Sequence, residues 1–369
     1  MARRKRLFTI LSMRMALAVF LLLAAVSLTA CDAELPFDIP ELPFDLPSGQ
    51  NVTASPGQTD TGGGGTAGGS LPTQGGQDAD DSDSEAALRP VVSTTNIRIP
   101  STGDDQMIQA GVTLDISNIS SGYFMVMYEG SSSRAVVQVE SPRAQQVYVY
   151  TISTTGTWEV FPLSHGSGTY TITISEHVEG QMFAKVISTT VEAIINNQHL
   201  PFLYPNQFVN FNRSTRAVAI AAELAQGARN ELDVVRRVYE FIIENIEYDH
   251  NFANQVTTGL ITTYVPDLDD ILRRGSGVCF DYAALMAAML RAQLIPTRLE
   301  IGYVSGGIFH AWVSVYTAEH GWVGVAEFAS GGNWTLMDPT FSAAGGTADG
   351  GDLAQFIGDG SNYNPLFVR

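Results

Sequence analysis

Between residues 90 and about 195, apolar and polar positions alternate in short runs separated by turn residues, at 122–128, 135–140, 146–152, 157–162, 168–175 and 181–187. Alternation over four to eight residues places every second side chain on one face of a half-buried strand. The regular spacing predicts an Ig-like β-sandwich of about seven or eight strands. The period then changes. Ser214 opens a helix with Ala217, Val218, Ile220, Ala221 and Leu224 along one side and a stop at Gly227. Asn230 caps a second, whose inner face is Val234, Val235, Val238, Phe241, Ile242 and Ile246. A loop containing Tyr248 and Tyr264 leads to a short helix over 267–274, ended by Gly275, and to another running from Cys279 to about Gln293. Past Pro296 the strand pattern returns at 298–304, 310–316, 322–328 and 334–337. Helices followed by antiparallel strands predict an α+β unit over 201–369, preceded by the sandwich at 90–200.

The first 89 residues carry neither pattern. Arg3, Arg4, Lys5 and Arg6 precede an apolar run at 15–28, which is shorter than the roughly 20 residues a membrane span needs. The run ends in Leu28-Thr29-Ala30-Cys31, which resembles a bacterial lipoprotein signal. Residues 1–30 are therefore expected to be a signal peptide, with Cys31 lipidated as the new N-terminus. Acyl chains would then hold the protein at the outer, extracytoplasmic side of the cell membrane, at about 0.8 kcal/mol per buried methylene. Residues 31–89 hold a tandem Leu-Pro-Phe-Asp repeat at 35–40 and 42–47, Gly62 to Gly65, and an acidic run at 78–85. Such composition has too little aliphatic surface to offset chain entropy and predicts a disordered linker; the repeat could instead dock on another protein.

Charge narrows the partners. The chain carries a formal −18. Loss of residues 1–30 removes five basic groups and no acidic ones, leaving 15 against 38, or −23. Nucleic acid and bare anionic lipid would be repelled. No His-Glu-x-x-His and no cysteine pair occur, and the six histidines are scattered, so no metal site is expected. No phosphate-cradling glycine loop follows a strand, and no cofactor is expected.

Two cysteines occur, and Cys279 is the one inside the α+β unit. A thiol at a helix N-terminus faces unpaired backbone N–H groups and the positive end of the helix dipole, both of which favour thiolate. The same N–H groups can receive the oxyanion that forms when sulfur attacks a carbonyl. His310 opens one predicted strand and Asp338 ends another; on neighbouring strands they would meet side by side, the carboxylate orienting the imidazole toward the sulfur. Each has a plainer reading, as a buried Cys, a core His and a turn-capping Asp. Together they make a Cys-His-Asp triad.

The segments Gly277-Val278-Cys279-Phe280-Asp281-Tyr282-Ala283, His310-Ala311-Trp312 and Asp338-Pro339-Thr340 resemble the transglutaminase-like superfamily over roughly 205–345. The resemblance implies a papain-like α+β core with Cys279 as nucleophile, His310 as general base and acid, and Asp338 as orienting carboxylate. Departures are visible. Leu294 stands where members commonly have glycine, so the catalytic helix should end without an αL glycine. The stretch from His310 to Asp338 is long enough for an extra hairpin, and Glu327 within it is a rival third member. Asp281 reads as a first-turn acid that stabilises the helix. Tyr248 is the candidate side-chain oxyanion donor, with Tyr264 as a second and aromatic packing as the plainer role of both.

The expected activity is acyl transfer from a peptide or glutamine amide, the cell envelope being one source of substrate, through a Cys279 thioester. Water or an amine could accept the acyl group, and an extracellular setting favours hydrolysis. The rival is a non-catalytic surface protein using the same fold to bind peptides or cell wall.

Overall fold

The computed structural model describes residues 88–261, 263–304, 307–324, 328–330, 333–335, 338–340 and 363–369. The expected signal peptide, Cys31, nearly all of the expected linker, and Glu327 lie outside the described residues.

Eight strands build the N-terminal part: β1 (Gln106–Gln109), β2 (Val112–Asp115), β3 (Tyr123–Tyr128), β4 (Ala135–Glu140), β5 (Tyr148–Thr151), β6 (Trp158–Pro162), β7 (Gly168–Glu179) and β8 (Met182–Ala193). They form two antiparallel sheets, ordered β1-β2-β3-β6 and β5-β4-β7-β8. The inward residues of both sheets meet in one apolar cluster that includes Leu114, Phe124 and Phe161 from the first and Val137, Tyr150 and Ile172 from the second. The alternating runs become β3 to β8. The strands β1 and β2 escape that pattern for a physical reason: β1 is largely exposed and β2 buried throughout, so neither alternates.

The second core is organised around a helix. Here α1 (Arg216–Leu224), α2 (Glu231–Asn245), α3 (His250–Thr257) and α4 (Leu268–Arg274) surround α5 (Cys279–Ala292), every residue of which is buried. Ser214 does not cap α1. Thr215 occupies that position without a side-chain capping bond, and Asp269 of α4 accepts from the Arg216 N–H at 2.8 Å instead. Asn230 caps α2 as its sequence predicts, accepting from the Asp233 N–H at 2.9 Å. A polar stretch read as loop forms α3, started by Asp249 accepting from the Phe252 N–H at 2.9 Å.

Against α5 lies an antiparallel sheet ordered β13-β12-β11-β16, from β11 (Thr297–Val304), β12 (Ile308–Thr317), β13 (Gly321–Val323) and β16 (Asn364–Val368). A separate hairpin is made by β14 (Phe328–Ser330) and β15 (Asn333–Thr335), so the strand read at 322–328 is not continuous. A short parallel pair, β9 (Glu247–Tyr248) with β10 (Ser276–Gly277), leads into α5. Arg291 anchors the far end of α5: its guanidinium donates to the carbonyls of Thr297, Tyr204 and Arg369 at 2.7 to 2.9 Å. The guanidinium of Arg369 in turn lies 4.1 and 4.2 Å from the ring centres of Tyr148 and Tyr150 on β5, which fastens the two cores together.

The C-terminal turn of α5 keeps left-handed geometry without a glycine. Leu294 itself takes the left-handed conformation, with φ of 57°. The Ile295 N–H reaches the Leu290 carbonyl at 3.0 Å and the Leu294 N–H reaches Arg291 at 2.9 Å, the two bonds of a Schellman motif. The αL turn is thus kept and the glycine is not, at a cost of about 1 kcal/mol for the β-carbon. Leu294→Gly is expected to stabilise the protein by about 0.5 kcal/mol after allowance for unfolded-chain entropy. Thermal unfolding would show a melting temperature higher by about 1–2 °C, and a lower one would refute the strain.

Candidate active site

The turn into α5 is shaped by a close approach. A β-carbon on Gly277 would lie 2.6 Å from the Asp281 Cβ and 2.8 Å from its Oδ2, so only glycine fits. That contact lets Asp281 Oδ2 accept the Val278 N–H at 2.9 Å, half of a capping box; the valine side chain has no oxygen to return the bond. Asp281 Oδ1 accepts from Tyr264 Oη at 2.5 Å, and Arg274 Nη2 lies 4.0 Å from Oδ2. Burial raises the Asp281 carboxyl above its ordinary range, against the opposing pull of Tyr264, the Val278 N–H and Arg274. Asp281 therefore stabilises the first turn, as its position suggests, and Tyr264 is committed to it.

This turn puts Cys279 at the first position of α5, a free thiol that is 4% exposed. The first N–H groups of a helix, that of Cys279 among them, have no acceptor within it. Facing the sulfur is β12. His310 is 3% exposed, and its Nε2 lies 2.6 Å from Asp338 Oδ2. Cys279 is a second hydrogen-bond partner of the imidazole. With Nε2 taken by the carboxylate, Nδ1 is the nitrogen left for sulfur. Burial alone would lower the His310 pKa, but the Asp338 charge and hydrogen bond, joined by Cys279, outweigh it and push it up to about 10.

Asp338 reaches His310 by a route different from the expected one. The sheet neighbours of β12 are β11 and β13, while Asp338 follows β15 of the separate hairpin. Its carboxylate is held by more than the histidine, since Oδ1 accepts from the Thr340 N–H at 3.0 Å and Oδ2 also accepts from Tyr363 Oη at 3.1 Å. Sequence reasoning missed Tyr363, which no motif marks. It also missed the floor of the site, where Trp312 stacks on His310 (ring centres 6.2 Å apart, planes 19°) and donates Nε1–H to Glu300 Oε2 at 2.7 Å.

Tyr248 sits on β9, whose pairing with β10 brings it to the start of α5. Burial first, then the charge of Cys279, raises its phenol well above the ordinary range. The phenol therefore keeps its proton at neutral pH.

The model of the transglutaminase-like superfamily matches residues 218–339, the span that carries Cys279, His310 and Asp338. The chain carries a transglutaminase-like superfamily domain. Solved structures similar to part of the chain include a candidate cysteine protease from Cytophaga hutchinsonii, 17% identical, covering 64% of this chain and 78% of that one at a TM-score of 0.30. A candidate protease from Parabacteroides distasonis is 11% identical, covering 60% and 64%, at 0.27. A TGase is 12% identical, covering 53% of each chain, at 0.26. No curated protein matches the chain. Likenesses this distant carry no argument about chemistry, so the reading of the transglutaminase-like domain rests on its own geometry.

Proposed function

We propose that the protein is a membrane-anchored, extracytoplasmic cysteine enzyme that transfers the acyl group of a peptide or glutamine amide through a thioester on Cys279, with hydrolysis as the favoured outcome. The observation that carries this reading is the 2.6 Å contact of His310 with Asp338 on an imidazole whose other partner is the Cys279 thiol at a helix N-terminus.

The chemistry follows from those positions. Cys279 Sγ, whose proton is already held by the charged His310, attacks the amide carbonyl and forms the C–S bond. The oxyanion is received by the Cys279 N–H and the Tyr248 hydroxyl. As the C–N bond breaks, His310 returns the proton to the departing nitrogen, and ammonia or an amine leaves. Asp338 keeps the ring oriented and offsets the imidazolium charge. Water, deprotonated by the now neutral His310, then resolves the thioester to a carboxylic acid. An amine in place of water would give a new amide.

Two further parts of the reading rest on sequence and topology. The run at 15–28 ending in Cys31 supports lipidation and an anchor, with residues 31–89 as spacer. The strand orders β1-β2-β3-β6 and β5-β4-β7-β8 support an Ig-like sandwich, since the chain crosses between the sheets at β3–β4, β5–β6 and β6–β7, as in a Greek key.

Incubating the protein with a casein-type substrate, with and without a primary amine, is expected to release new small peptides and to incorporate little amine. Dominant amine incorporation would overturn the hydrolytic preference. Absence of both products, with Cys279 alkylated by iodoacetamide at pH 6 no faster than free cysteine, would favour a non-catalytic binding protein.

A further inference from the structure

We propose that Tyr363 is a positioning residue, its hydroxyl holding the Asp338 carboxylate in the rotation that faces His310. This rests on the triad reading above and adds a fourth member to it.

Among the described residues, three donors surround the carboxylate. The Thr340 N–H takes Oδ1 at 3.0 Å, and His310 Nε2 and Tyr363 Oη share Oδ2 at 2.6 and 3.1 Å. Asp338 leaves its own backbone outside the sheet that carries His310, so the strand register does not fix its side chain. The Tyr363 bond does so, on the same oxygen that meets His310. Tyr363 is itself clamped, its ring meeting that of Trp312 edge-on at 5.0 Å, and Trp312 is pinned by Glu300.

The fold makes room for this arrangement at one residue. Tyr363 enters β16, which pairs with β11 in a register where Tyr303 faces Asn364 and Gly302 faces Pro365, with an irregularity between Ile301 and Gly302. Gly302 is also the partner of His310 across the β11–β12 ladder. A β-carbon on Gly302 would lie 2.1 Å from the Asn364 carbonyl oxygen and 2.9 Å from the Leu366 nitrogen. The close approach that excludes any side chain there is what delivers Tyr363 to the imidazole, 6.4 Å between ring centres.

The test is the pH profile of Cys279 alkylation by iodoacetamide in the full-length protein, whose alkaline inflection reports loss of the His310 proton. Among the described residues, the groups facing that imidazole include Cys279 from α5, Asp338, and Tyr363 ahead of β16, with Glu300 of β11 behind Trp312. Tyr363→Phe keeps the ring and removes only the hydroxyl. Its inflection is expected roughly half a pH unit or more below wild type, because a carboxylate free to turn supports the imidazolium less well. Gly302→Ala, which leaves the tyrosine in the chain but displaces β16, is expected to move the inflection the same way and serves if the phenylalanine variant fails to fold. A Tyr363→Phe profile superimposed on wild type, with that of Asp338→Asn displaced, overturns the positioning role alone. Superposition of all the profiles, Asp338→Asn included, overturns the triad and this proposal with it.

Discussion

Cys279→Ala is expected to abolish peptide release and amine incorporation alike, lowering turnover by about 10⁴-fold or more, because no other group can take the place of the attacking sulfur. The substitution removes one buried sulfur and leaves the helix start intact, since the cap depends on Gly277, Val278 and Asp281 and not on the thiol. Circular dichroism should therefore match wild type. Only two cysteines occur, so the variant also tests the anchor: with Cys31 acylated, protein from membranes would hold no thiol open to iodoacetamide. Turnover above a tenth of wild type would remove Cys279 from the mechanism.

The site was legible where its chemistry is local. Gly277, Cys279 and Asp281 lie within five residues, and the reason for their spacing is a single turn in which the carboxylate folds back over a residue lacking a side chain. His310 and Asp338 each carry short motifs of their own, and the structure brings them together at 2.6 Å. What stayed hidden depends on long-range register. Tyr363 lies 25 residues beyond Asp338, and its contact exists only because β16 runs antiparallel to β11 past Gly302. A glycine in a strand signals close backbone approach, but not which segment approaches.

Elements were lost for similar reasons. The helix α3 is built from His250-Asn251-Phe252-Ala253-Asn254-Gln255-Val256-Thr257, with no apolar stripe strong enough to announce it. Its start was readable in principle, since Asp249 caps it by the same bond that Asn230 makes on α2. Leu294 shows the opposite limit. Sequence correctly marks the missing glycine, yet the hydrogen bonds of the Schellman turn outweigh the strain of a leucine at positive φ.

Asp338→Asn should do nearly as much damage as loss of the sulfur. Asparagine can serve such triads where its single oxygen suffices. Here, among the described residues, three donors converge on the carboxylate, from Thr340, His310 and Tyr363, so an amide NH₂ must face one of them. If it faces His310, the imidazole turns to the wrong tautomer, and kcat/KM at neutral pH should fall by about 10³-fold. The charge is lost as well. Burial, which lowers the His310 pKa, is then opposed mainly by Cys279, and the alkaline inflection should drop from about 10 toward or below the ordinary 6.5. The sign carries over to stability. A histidine whose folded pKa is raised contributes fully below its unfolded value of about 6.5 and loses that contribution as pH rises through about 10. Wild-type stability should therefore decline across that window by an amount the asparagine variant lacks. Denaturant unfolding at pH 6 and pH 10 measures the difference, and parallel declines in the two proteins would mean that Asp338 does not hold the proton on His310.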